Sequence, residues 1–244
     1  MLEIVFLRHA QSVFNASNTI QGQSDCALTS RGEAQALFAA PRVAALHADA
    51  VVVYSSDLAR ARMTAEPLAR ALRVPLLIDS RLRERACGAL EGLPRRSLAS
   101  REPLAHAAWA SADVHARVPP NGESLADVDE RLRAFAIDVY RAREGEGKVI
   151  AVTHGGALAR VWAADARARR DPSPCSQITN IGECRVAVDA LGEMVVIDRE
   201  RWGSPRFLAH DALVRGADDV ASTRDDATVR ARRHQSSVLD VASE

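Results

Sequence analysis

Short runs of apolar, largely β-branched residues recur along this chain, each stopping abruptly at polar residues. They read as buried strands: "EIVFL" from Glu3, "AVVVYS" from Ala50, "PLLID" from Pro75, "KVIAVT" from Lys148, "CRVAVDAL" from Cys184 and "MVVIDRE" from Met194. Between them, alanine- and leucine-rich segments with a helical period cover roughly Ser30 to His47, Asp57 to Leu72, Ser124 to Arg143 and Gly156 to Arg169. Strands alternating with helices predict an α/β fold, a three-layer α/β/α sandwich around a mostly parallel sheet. Only "LGE" separates the last two strands, which predicts an antiparallel hairpin at one edge.

Pro41 and Pro67 fall inside helical patterns and are expected to kink or break them. Residues 93–121 fit neither period and hold Pro94, Pro103, Pro119 and Pro120, so they read as an insertion over one end of the sheet. From about Asp211 the chain turns to mixed charge, Ala, Ser and Thr without aromatics. The expected organisation is a domain over residues 1–210 and a C-terminal tail over 211–244 that adds little core.

Composition narrows the function classes. The 244 residues carry 32 basic and 32 acidic side chains, a formal net charge of +0 that argues against nucleic acid or an anionic membrane as the main partner. There is no apolar run long enough to span a bilayer and no signal-peptide pattern. Cys26, Cys87, Cys175 and Cys184 form no C-x-x-C pair and no zinc-ligand spacing, so free thiols in a reducing cytoplasm are expected. Of the basic residues only Lys148 is lysine and the other 31 are arginine; an arginine therefore counts as a signal only at a meaningful position.

Such positions are the strand ends, since parallel α/β sheets bind ligands beyond their carboxyl edge. Arg8 and His9 follow the first strand. Ser55, Ser56 and Asp57 follow the second, with Arg60 on the next helical turn. Arg81, Arg83, Glu84 and Arg85 follow the third, and His154 with Gly155-Gly156 follows the fourth. Arginines, histidines and a glycine-led helix N-terminus suit a phosphate dianion. A neutral imidazole can attack phosphorus, and one carboxyl can give a proton to the leaving oxygen and later take one from water. That set needs no metal or cofactor, and no metal or nucleotide-loop motif occurs.

Six ordered blocks then show a resemblance. "LRHAQSVFN", "QGQSDCALTSRGEAQA", "YSSDLARARMTAEPLA", "LRERACGALEGL", "PNGESLADVDERL" and "VTHGGAL" resemble the histidine phosphatase superfamily in its phosphoglycerate-mutase-like branch. The resemblance implies His9 as the phosphorylated nucleophile, Arg8, Arg60 and His154 around the phosphoryl group, and Glu84 as proton donor. It adds Asn15 at the phosphate, and Gln21 and Gly22 on the substrate loop; Gly155 joins them because its backbone can approach a ligand. Ala10 stands where the family usually has glycine. Ala86 and Cys87 stand where cofactor-dependent mutases have histidine and tyrosine, and the segment before "PNGES" is short. These departures favour a phosphatase acting on small phosphorylated metabolites over a mutase or a catalytically silent phospho-ligand binder. Arg83 and Arg85 are left open as ligands for a second anionic group, and a homodimer is compatible with the sequence without being dictated by it.

Overall fold

The computed structural model describes residues 1–170 and 178–198. The expectations for Cys175, for the end of the last strand and for the 211–244 tail lie outside the described residues.

A six-stranded sheet organises the chain. Its strands are β1 (Leu2–Arg8), β2 (Ala50–Ser55), β3 (Leu76–Ile78), β4 (Gly147–Thr153), β5 (Glu183–Val188) and β6 (Met194–Val196), in the order β3-β2-β4-β1-β5-β6. The first four run parallel; β5 is antiparallel to β1, and β6 returns antiparallel beside it as the expected edge hairpin. On β1, side chains alternate between faces. Leu2, Ile4 and Phe6 join one core with Val149 and Ala151, while Val5 and Leu7 join the other with Ile150 and Val152. Both faces are buried, which is why the strand sequences are continuously apolar.

The helices are α1 (Val13–Ala16), α2 (Ser30–Leu46), α3 (Ala59–Leu72), α4 (Leu98–Arg101), α5 (Pro103–Trp109), α6 (Leu125–Ala142) and α7 (Gly155–Arg169). Helices α6 and α7 cover the first face through Leu132, Phe135, Leu158 and Val161. Helices α2 and α3 cover the second with small residues such as Ala36, Ala40, Ala61 and Ala65. The three-layer sandwich is as expected. Helix α6 starts at a capping box in which Ser124 and Asp127 satisfy each other's backbone N–H groups, a device worth about 1 kcal/mol.

One expectation needs correction, and one segment gains detail. Pro41 and Pro67 do not break their helices: α2 and α3 run through them. Each proline removes one backbone bond, and buried residues on either side, Ala40 and Val43 in α2 and Ala65 and Ala69 in α3, hold the helix against the sheet. Residues 93–121 are also more ordered than their irregular pattern suggests. They contain α4 and α5, and Leu98, Ala105 and Val118 form a small core of their own with Ile20, Cys87 and Leu90.

Candidate active site

Register brings the histidines together. Arg8 on β1 pairs with Thr153 on β4, so the next residues, His9 and His154, leave the sheet side by side. Their ring centroids are 5.0 Å apart, edge to face. His9 is buried, and its Nδ1 lies 2.7 Å from the Ala10 carbonyl oxygen. A carbonyl can only accept, so Nδ1 carries the hydrogen and Nε2 keeps its lone pair. His154 is wholly buried; its Nδ1 accepts from Arg60 Nε (3.3 Å), which leaves Nε2–H to donate to Ser56 Oγ (2.9 Å). Burial, then the Arg60 guanidinium, holds both imidazoles well below the ordinary pKa of 6.5. Both are therefore neutral at pH 7.

Arg60 is 0% exposed on the first turn of α3. Its Nη1 donates to the Ser24 carbonyl (2.9 Å) and its Nη2 to the Gly22 carbonyl (2.8 Å). Among the described residues it forms no ion pair. Burial pulls its pKa down, and Cys26, Glu84 and Asp25 act electrostatically in the opposite direction. A buried guanidinium held only by neutral acceptors is costly unless an anion joins it. Arg8 reaches from β1 to the Ile178 carbonyl through Nη1.

Glu84 faces this group from the segment after β3. Its Oε2 accepts from Gly156 N (2.8 Å) and its Oε1 from Arg85 N (2.8 Å). The N-terminal turn of α7 thus seats the carboxylate of Glu84, where the sequence suggested a seat for phosphate. The steric demand sits at Gly156, where a Cβ would fall 2.2 Å from Glu84 Oε1; at Gly155 it would meet Arg8 only at 3.5 Å. The Glu84 segment is pinned from two sides. Thr153 Oγ1 donates to the Leu82 carbonyl (2.7 Å), while Arg131 donates to the carbonyls of Arg81 (2.6 Å) and Glu84 (3.0 Å).

The remaining expected residues lie nearby. Asn15 N donates to Ser12 Oγ (3.1 Å), and its Oδ1 accepts from Asn180 Nδ2 (3.3 Å). Gln21 Oε1 accepts from Ser12 Oγ (2.7 Å), which ties the substrate loop to the residues after β1. Gly22 is buried with φ +52°, a conformation glycine adopts without strain. Ala10 packs its methyl into the core beside Leu7 and Leu28.

Arg83 and Arg85 have other engagements. Arg83 pairs with Asp57 (Nε to Oδ1, 2.7 Å) and reaches Gln23 Oε1 (3.1 Å). Arg85 is buried and donates to the carbonyls of Glu123 (2.9 Å), Trp109 (3.3 Å) and Ala116 (3.1 Å), fastening the insertion. Cys87 fills space in the insertion's core, and burial pushes its thiol up to about 12.

Sequence reasoning assigned no role to Asn180, Gln23 and Arg131, which support the site alongside Glu123. Asn180 donates to the His9 carbonyl (2.9 Å). Glu123 accepts from Ala86 N (2.9 Å) and Arg131 Nε (2.8 Å). Gln23 Nε2 donates to the Glu84 carbonyl (3.1 Å). Glu123, Arg131 and Gln23 all lie inside the quoted blocks, but spacing alone does not show which carbonyls they reach.

Comparison with known proteins identifies the family. The model of the histidine phosphatase superfamily (branch 1) matches residues 4–188. A probable phosphoglycerate mutase, GpmB, of Erwinia tasmaniensis is 37% identical over 158 residues, which is 65% of this chain and 72% of that protein. A metal-independent phosphoserine phosphatase of Arabidopsis thaliana is 37% identical over 161 residues, 66% of this chain and 67% of that protein. Among solved structures, a mycobacterial glucosyl-3-phosphoglycerate phosphatase in complex with VO3 superimposes with a TM-score of 0.67 at 29% identity, covering 80% of this chain and 95% of that one. The chain belongs to branch 1 of the histidine phosphatase superfamily and is a phosphatase of that family.

Proposed function

We propose that this phosphatase hydrolyses small phosphomonoesters in two steps through a phosphohistidine at His9, without a metal ion. One observation carries the reading: Arg60, fully buried, stands against two neutral imidazoles, and among the described residues no carboxylate pairs with it. A phosphoryl dianion supplies the missing charge and Arg8 shares its non-bridging oxygens, while His154 joins them by releasing Ser56 Oγ and turning its N–H to the phosphoryl group.

The His9 Nε2 lone pair attacks phosphorus as the ester P–O bond breaks. The Nδ1–H bond to the Ala10 carbonyl orients the ring and steadies the positive charge that develops on it. Glu84 gives its proton to the departing alkoxide. Water then attacks the phosphohistidine and passes a proton to Glu84; the P–N bond breaks, releasing inorganic phosphate and restoring His9. Asn15, Gln21, Gly22 and Gly155 form the rim around the ester. The cations are supplied by arginine, consistent with the metal-independent relative. A cytoplasmic location and assembly as a homodimer complete the proposal. Among the described residues no helix is long and apolar enough to cross a membrane.

The mutase alternative draws on the name of the Erwinia relative. Against it stands Cys87, buried in the insertion's core and offering its Sγ to the Arg85 carbonyl (3.3 Å). The test is phosphate release from a panel including phosphoserine and 3-phosphoglycerate, in excess EDTA, with product isomers tracked and His9→Ala alongside. Release that persists in EDTA and falls at least ~10⁴-fold in His9→Ala is expected. Isomerisation without release would make the protein a mutase, and loss of activity in EDTA would remove the metal-independent mechanism.

A further inference from the structure

Glu91 follows a 3-10 turn at Gly88–Leu90, away from the reacting groups, yet its carboxylate gathers donors from two separate segments. Oε1 accepts from Gln23 N (2.9 Å) and Cys87 N (2.8 Å), and Oε2 accepts from Ser24 Oγ (2.7 Å). The fit is close: a Cβ on Gly22 would fall 2.1 Å from Oε1.

The segment it grips is the one that holds Arg60. The carbonyl of Gly22 and the N–H of Gln23 belong to one peptide plane. On one edge of that plane the carbonyl accepts from Arg60 Nη2 (2.8 Å); on the other the N–H donates to Glu91 (2.9 Å). A trans peptide is rigid, so fixing its N–H fixes the direction of its carbonyl. A carboxylate on the N–H also polarises the peptide and strengthens the carbonyl as an acceptor. Ser24 repeats the arrangement, its hydroxyl on Glu91 and its carbonyl on Arg60 Nη1. The bond from Cys87 N links the same carboxylate to the strand of chain bearing Glu84, three residues earlier.

We infer that Glu91 is a positioning residue, which sets the affinity for the phosphoryl group by holding the Gly22–Gln23 peptide and Ser24 against Arg60. It touches neither substrate nor reacting atom. The inference rests on the phosphatase reading for its kinetic consequence but not for its binding consequence, since inorganic phosphate occupies the same cation.

Two substitutions separate geometry from bulk stability. Glu91→Ala removes all three bonds. Glu91→Gln keeps Oε1 for both N–H groups and can donate from Nε2 to the Ser24 hydroxyl, so it restores the grip. The probe is inorganic phosphate, its dissociation constant measured by calorimetry on the full chain, with KM, kcat and ligand-free thermal unfolding beside it. Glu3→Ala, at the opposite end of the sheet, is the control for a loss of stability alone.

Glu91→Ala is expected to bind phosphate about tenfold more weakly and to raise KM by a similar factor, with Glu91→Gln recovering most of both. An unchanged phosphate constant in Glu91→Ala, with unfolding lowered as in Glu3→Ala, would overturn the inference. So would a Glu91→Gln variant as weak as the alanine. If Glu91→Ala does not fold, Glu91→Asp, which withdraws the carboxylate by one methylene, should show an intermediate loss; a wild-type constant there overturns the inference equally. A wild type that binds phosphate but hydrolyses no ester would fail the phosphatase reading and still test Glu91 by binding, whereas a wild type that binds none would overturn both.

Discussion

Both ends of the sheet carry matched charges, Arg83 with Asp57 among them at the carboxyl ends, but the carboxyl ends also hold a fully buried cation with no ion-pair partner among the described residues. At the amino ends of the parallel strands, opposite charges are matched: Arg185 grips Glu3 with two bonds of 2.6 and 2.9 Å, and Lys148 meets Asp49 at 2.9 Å. At the carboxyl ends, Arg60 is buried more deeply than any of these, yet its bonds go to carbonyls and an imidazole. Matched charges tie strands together and ask for nothing further. A buried cation without its anion is a standing cost, which a ligand removes.

Arg60→Ala is the strongest way to break this contrast. It should lower kcat/KM by about 10³-fold or more and abolish the rise in melting temperature that phosphate gives the wild type. A phosphate-induced rise that survives in the variant would place the anion elsewhere. Glu84→Gln should come next. It is expected to slow alkyl phosphates by about 10²–10³-fold while costing a good leaving group such as p-nitrophenolate far less. Equal losses on both substrates, read from parallel kcat/KM measurements, would remove Glu84 from the acid role.

A third effect concerns pH. His9 and His154 are held neutral well below 6.5 in the folded chain. Below that pH the unfolded chain takes up protons that the folded chain refuses, so stability falls as pH falls. Each histidine contributes up to about 1.4 kcal/mol per pH unit. Urea unfolding between about pH 6.5 and 5 should show this slope, and His9→Asn should roughly halve it. The smallest effect belongs to the amino ends: Glu3→Gln should cost about 1 kcal/mol or less and leave kcat/KM unchanged.

Much of this site was legible because strand ends are legible. The apolar runs located β1, β2 and β4, and Arg8, His9, Arg60 and His154 follow from what comes immediately after them. The register that sets His9 beside His154 comes from β1 and β4 being neighbours, a strand order that the pattern of apolar runs does not contain. Glu91, Asn180 and Arg131 were not assigned because their roles lie in bonds to backbone groups far along the chain. Arginine abundance hid Arg131 further, since one more arginine in such a chain signals nothing. Prolines misled at α2 and α3 because local preference was weighed without the packing that overrides it.

Arg85 attaches the 93–121 insertion by binding the backbone carbonyls of Trp109, Ala116 and Glu123, and the insertion keeps a core separate from those on the two sheet faces. Carbonyl oxygens are the same whatever side chain the residue bears. The surface of the insertion can therefore accept new side chains without loosening its anchorage. Variation at that surface is in this sense decoupled from the attachment of the segment to the sheet domain.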